Sequence, residues 1–165
     1  LSIEIVPLSS VVDPEDELNF IFDRLRDCDA HEIVSVGLTP ADALQIAHRA
    51  EDDCSLVYIN DEPVFVFGSI GSYPHIRHIF GFGTDKTIRV MPAVTRWINE
   101  VWKPKHFNNG VTRIEVRLPL SCDHSIKWLS KLGMKPECEL DHYSVTGERY
   151  VQLTYTKDDF NNVYS

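Results

Sequence analysis

Gly133 constrains this chain more than any other residue. A short helix is predicted from about residue 123 to 132, and a strand from 134 to 140. Gly133 between them is the residue type that adopts the left-handed conformation ending a helix, so the chain can reverse there. Met134 then drops into the core beneath a sheet. A helix passed directly into a strand implies helices packed on a sheet, which is an α/β (α+β) architecture.

The remaining patterns extend this reading. Ile3, Glu4, Ile5 and Val6 alternate weakly, as in a short first strand. Asp13 followed by Pro14 is a helix start, and Leu18, Ile21, Phe22 and Leu25 recur at helical spacing. Thr39 followed by Pro40 repeats the start signal for a second helix. Residues 28–39 connect the two helices as a loop. Three strands follow at 55–59, 63–70 and 75–84, expected as an antiparallel meander. Val64, Phe65, Val66 and Phe67 form a continuous apolar run, which predicts burial on both faces. A helix is predicted over 87–102, with Val94, Trp97, Ile98 and Val101 on its buried side, Trp102 partly exposed, and Lys103-Pro104 as its end. Strands at 111–120 and 149–156 complete the order. Together these elements predict a mixed, mostly antiparallel sheet of six to seven strands with four flanking helices. They occupy one domain over 1–157, followed by a polar, fraying tail at 158–165.

With 165 residues the chain is long enough to bury one core. Asp and Glu outnumber Lys and Arg by 25 to 16, giving a net charge of -9. That balance argues against broad nucleic-acid binding, which needs a basic footprint. The early acidic clusters suit a solvated surface, or a rim that attracts a cationic amine. The sequence predicts neither a signal peptide nor a membrane span, and hence an intracellular protein or one made inside a cell and packaged elsewhere. None of the four cysteines forms a CxxC pair, and no histidine spacing completes a metal site. Disulfides are not expected. Cys28, Cys54 and Cys138 read as core or half-buried thiols.

Residues Ser125-Ile126-Lys127-Trp128-Leu129-Ser130-Lys131-Leu132-Gly133-Met134 resemble the last helix and turn of the GNAT (acyl-CoA-dependent N-acyltransferase) family. The element order resembles that family over nearly the whole chain. Within it, Trp128 to Gly133, the ending Gly147-Glu148-Arg149-Tyr150-Val151-Gln152-Leu153-Thr154-Tyr155-Thr156-Lys157, and the turn Gly83-Thr84-Asp85 are similar to small GNAT-like and internal virion proteins of short-tailed phages.

The resemblance implies a role for each site residue. Acetyl-CoA would enter as co-substrate, its pyrophosphate held where the third strand meets the following helix. There Gly81, Phe82 and Gly83 would let backbone approach, Thr84 and Thr87 would supply hydroxyls, and Lys86 and Arg89 positive charge. His78 is the candidate base on the same strand. Tyr143 or Tyr150 could supply the proton donor from the last hairpin, and Cys122, at a helix N-terminus, is a candidate acyl carrier. Leu129 and Cys122 stand where the family has Tyr and Asn, and the family's Arg/Gln-x-x-Gly-x-Gly/Ala signature is missing.

The resemblance therefore implies two functions. One is a phage-encoded acetyltransferase that modifies an amine, such as one on a host protein. The other is an inactive GNAT-fold component of the virion or of a host interaction, placed in host cytoplasm or virion interior. Partners would be acetyl-CoA, a host protein or other virion proteins, and a second copy in a homodimer. No membrane partner is expected.

Overall fold

A computed structural model describes residues 1–164. Its strands are β1 (Ile3–Pro7), β2 (Cys54–Ile59), β3 (Glu62–Tyr73), β4 (Ile76–Gly83), β5 (Arg113–Pro119), β6 (Lys135–Leu140) and β7 (Tyr150–Thr156). They form one seven-stranded sheet in the order β1-β2-β3-β4-β5-β7-β6. β4 and β5 run parallel, whereas β1 with β2, β2 with β3, β5 with β7 and β6 with β7 are antiparallel. The helices are α1 (Pro14–Phe22), α2 (Asp27–Ser35), α3 (Pro40–Arg49), α4 (Met91–Trp97), α5 (Lys103–Phe107), α6 (Asp123–Lys131) and α7 (Lys157–Tyr164). The predicted fold class is the observed one, with more helices than expected. Among the described residues no helix is long and apolar enough to cross a membrane.

The chain parses into two compact units, Leu1–Ile70 with Phe80–Val94, and Gly71–Ile79 with Thr95–Ser165. In the first, Asp13 and Pro14 open α1 as predicted. Thr39 caps α3 through a capping box: its hydroxyl accepts from the Asp42 amide at 3.2 Å, and the Asp42 carboxylate accepts from the Thr39 amide at 2.8 Å. Leu18, Ile21, Leu44, Ala47, Leu56 and Val66 meet in its core. Val64, Phe65, Val66 and Phe67 are all buried, as the continuous run requires.

The connection 28–39 is not a loop. Most of it is α2, whose inward side carries Asp29 as well as Ile33. A buried carboxylate on that side breaks the apolar stripe that would have announced a helix.

In the second unit Ile114 and Leu118 of β5 face a core shared with Leu153 and Tyr155 of β7. The helix expected to stop at Lys103-Pro104 continues to Phe107. A π-helical stretch, Ile98–Trp102, precedes Pro104. Its wider turn accommodates a residue that lacks an N–H and crowds the preceding carbonyls. The same widening exchanges the buried residue: Trp102 is 3% exposed and Val101 is 50% exposed, the reverse of the expectation. The segment expected to fray is α7, where Phe160 stacks on Phe107 at 4.9 Å and on Tyr164 at 4.4 Å. Gly133 has φ +90, and Met134 beside it is buried, as predicted.

Cys54 is the buried thiol expected, and the other three cysteines depart from expectation. Cys138 is an exposed free thiol, while Cys28 and Cys122 are disulfide-bonded.

Candidate active site

In the first unit β4 ends at Gly83, where the chain has no room for a side chain. A Cβ there would stand 1.9 Å from Thr87 Oγ1 and 2.8 Å from the Val64 carbonyl. Thr84 follows as cap of a 3-10 turn, Asp85–Arg89, its hydroxyl accepting from the Lys86 amide at 3.3 Å. The Thr84 amide donates to the Val64 carbonyl at 2.9 Å, and the Thr87 hydroxyl donates to the same carbonyl at 3.1 Å. Both threonine hydroxyls therefore hold the turn together from inside. Phe82 is buried too, its ring 5.4 Å from Phe22. Gly81 packs on Phe65, and a Cβ there would come within 2.8 Å of that ring. The outward groups of the turn are Asp85, Lys86, Ile88 and Arg89. Lys86 forms an ion pair with Glu62 at 2.6 Å. Of the seven residues expected to hold a pyrophosphate, Lys86 and Arg89 thus present charge outward, and the other five shape the turn beneath them.

The first turn of α2 also reaches this strand end. The Asp29 carboxylate accepts from the Gly83 amide at 2.7 Å and from Arg26 Nε at 2.7 Å. Burial pushes the Asp29 carboxyl up, opposed by the Arg26 charge and by the hydrogen bonds from Arg26 and Gly83. Glu32, one turn further along α2 and half-buried, is raised to about 8 by desolvation and by the charge of Asp29. Neither acid was foreseen as part of a site, because their positions follow from a helix that the sequence pattern does not show.

The second unit carries the candidate base. Ile76, Arg77 and His78 of β4 pair in register with Arg113, Ile114 and Glu115 of β5. His78, half-exposed, brings Nε2 to 3.5 Å from Glu115 Oε2. Arg113 donates to Glu115 at 2.5 Å and to Glu137 at 2.8 Å. Gln152 continues the row, donating to Glu137 at 2.8 Å and accepting from Arg117 at 2.8 Å. Arg117 ends it by donating to the Tyr143 hydroxyl at 3.3 Å. His78 and Tyr143 therefore stand at opposite ends of one polar network, not side by side. The sequence could have offered Glu115: Arg113, Glu115 and Arg117 alternate with apolar Ile114, Val116 and Leu118, the mark of a strand with one polar face.

Cys122 is a correction. It is the buried cap residue of α6, and its sulfur is in a disulfide, so it has no thiol to carry an acyl group. Leu129, in the position where a tyrosine was expected by resemblance, is buried on the inner side of α6. Tyr150, the other tyrosine of the last hairpin, is a core residue whose ring lies 4.6 Å from that of Tyr143.

No protein-family model matches the sequence, and no curated protein matches it significantly. Solved structures do match the fold. Ard1 from Thermoplasma volcanium aligns with a TM-score of 0.72 at 12% identity, covering 94% of this chain and 98% of that one. A GNAT-family acetyltransferase from Bacillus anthracis aligns with a TM-score of 0.62 at 10% identity, covering 87% and 91%. The aminoglycoside acetyltransferase AAC(6')-Ib, solved with coenzyme A and kanamycin, aligns with a TM-score of 0.62 at 15% identity, covering 99% of each chain. The chain has the fold of GNAT-family acetyltransferases.

Proposed function

We propose that this protein is an acetyl-CoA-dependent N-acyltransferase. Fold alone does not establish activity. The observation that carries the reading is the His78–Glu115 pair, with Arg113 behind it. A half-exposed imidazole backed by a carboxylate, itself fixed by a guanidinium, is a general base with its orienting group in place. The 3.5 Å approach is loose, as catalytic contacts commonly are before substrate binds.

In the proposed reaction the acceptor amine attacks the thioester carbonyl. The N–C bond forms and the C–S bond breaks. His78 takes the proton from the amine, and the thiolate leaves and is protonated to free coenzyme A. Tyr143, tied to Arg117, is the candidate donor of that proton. On the cofactor side, Lys86 and Arg89 offer charge to the pyrophosphate. Gly81, Phe82, Gly83, Thr84 and Thr87 give the turn its shape. A phage origin and a host-protein amine as acceptor are the finer part of this proposal. The phage origin is read from the resemblance of residues 128–133 and 147–157, and the host-protein acceptor is proposed from that origin alone.

Calorimetric titration with acetyl-CoA tests the reading. Saturable heat is expected. No heat at high protein concentration would sink the enzyme and leave a non-catalytic virion or host-interaction protein on the same fold.

A further inference from the structure

Asp29 is 1% exposed, and a carboxylate that deeply buried is tolerated only when its oxygens are hydrogen-bonded. Here the same oxygen accepts from the Gly83 amide and from Arg26 Nε, each at 2.7 Å. The Arg26 amide in turn donates to the Gly83 carbonyl at 2.9 Å. Both backbone polar groups of Gly83 therefore end on the start of α2. On the far side of the same peptide, the Thr84 amide is held by the Val64 carbonyl at 2.9 Å. A side chain at position 83 would collide with Thr87 and with the Val64 carbonyl, so the strand end packs directly on β3. The residues that follow are the turn assigned above to the cofactor's phosphates.

We propose that Asp29 is a positioning residue: its carboxylate fixes the Gly83 amide, sets the path of the Thr84–Arg89 turn, and so controls from α2 how tightly that turn holds coenzyme A. An apolar residue at 29 would leave a buried amide without an acceptor. An asparagine would keep an acceptor of the same shape and lose the charge. This inference rests on the acyltransferase reading.

The experiment compares the full chain with Asp29→Ala, Asp29→Asn and, as a charge control, Asp27→Asn on the exposed side of the same turn. Two quantities are measured: the chemical shift and hydrogen exchange of the Gly83 amide, and the affinity for coenzyme A. In the wild type the Gly83 proton should resonate downfield and exchange slowly. Asp29→Ala should abolish both signatures and weaken coenzyme A by about tenfold or more, the scale of a lost hydrogen bond to a charged acceptor. Asp29→Asn should restore part of each, and Asp27→Asn should change neither. An unprotected Gly83 amide in the wild type overturns the proposed contact without any ligand. Coenzyme A binding that Asp29→Ala leaves unchanged in a folded protein overturns the positioning role. If the wild type binds no coenzyme A at all, the function itself fails, and the amide measurement still reports on Asp29 separately.

Discussion

The Lys103 ammonium donates to the Leu132 carbonyl, the cap position of α6, and to Asn99 Oδ1 at 2.8 Å, while lying 4.2 Å from the centre of the Tyr155 ring. All of its donors face protein groups, which explains how a lysine only 5% exposed is tolerated. Burial lowers its pKa from 10.5 to about 8, with Asp159 opposing. Between those two values the unfolded chain holds the proton and the folded one has lost it. Stability should therefore rise with pH across that window. Lys103→Met should remove the rise and, by leaving the Leu132 carbonyl unpaired, cost about 1–3 kcal/mol at neutral pH. Urea unfolding at a series of pH values measures both. Parallel pH profiles for the two proteins would contradict the assignment.

Glu32 acts in the opposite direction. Its folded pKa is raised from 4.5 to about 8. The stability it contributes is complete below the lower value and lost as pH rises through the upper one. Glu32→Gln, which cannot ionise, should gain on the wild type as pH climbs across that window. Thermal unfolding of the pair at three pH values checks this, and a constant difference would refute it.

Gly83→Ala forces a methyl group against Thr87 Oγ1 and the Val64 carbonyl. Overpacking of this kind costs about 1–3 kcal/mol. Thr87→Ala removes the nearest atom but leaves the carbonyl in place. The double variant should therefore recover part of the loss and not all of it, a coupling that a double-mutant cycle reads directly. Strictly additive losses would mean that the clash is relieved elsewhere.

His78→Ala should lower kcat/KM for the acceptor amine by about 10²- to 10⁴-fold, the range for loss of a general base. Affinity for acetyl-CoA should stay unchanged. Glu115→Gln should cause a smaller loss, because the imidazole remains and only its support weakens. Steady-state kinetics with both substrates varied distinguishes these outcomes. Full activity of His78→Ala would remove the base from the mechanism.

The strands were legible because each is bounded by a turn residue and carries either alternation or a continuous apolar run. Gly133 was legible because only one backbone conformation explains a glycine between those two patterns. What escaped reading depended on partners distant in sequence. α2 buries Asp29, whose position makes sense only once Gly83 and Arg26 are beside it. α7 is mostly polar, and its buried anchor, Phe160, has its partner Phe107 far back in the chain. The site divided in the same way. His78 was readable as a polar residue on a strand, but Glu115 as its support needed the parallel register of β4 and β5. Cys122 looked reactive from its place before a helix, and its disulfide could not be inferred from spacing.

The π-helical stretch at Ile98–Trp102 fixes how many residues this part of the chain must contain. Each residue of an α-helix advances the chain by about 100° around the axis. Deleting one residue there would restore regular winding and swing everything downstream by that angle. Trp102, whose ring lies 4.5 Å from that of His106, would turn away from the interior, and Phe107 would leave its stack on Phe160. This stretch should therefore accept changes of residue type at exposed Val101 far more readily than any change of length. A relative one residue shorter here would have to fill the place of Trp102 with a different side chain.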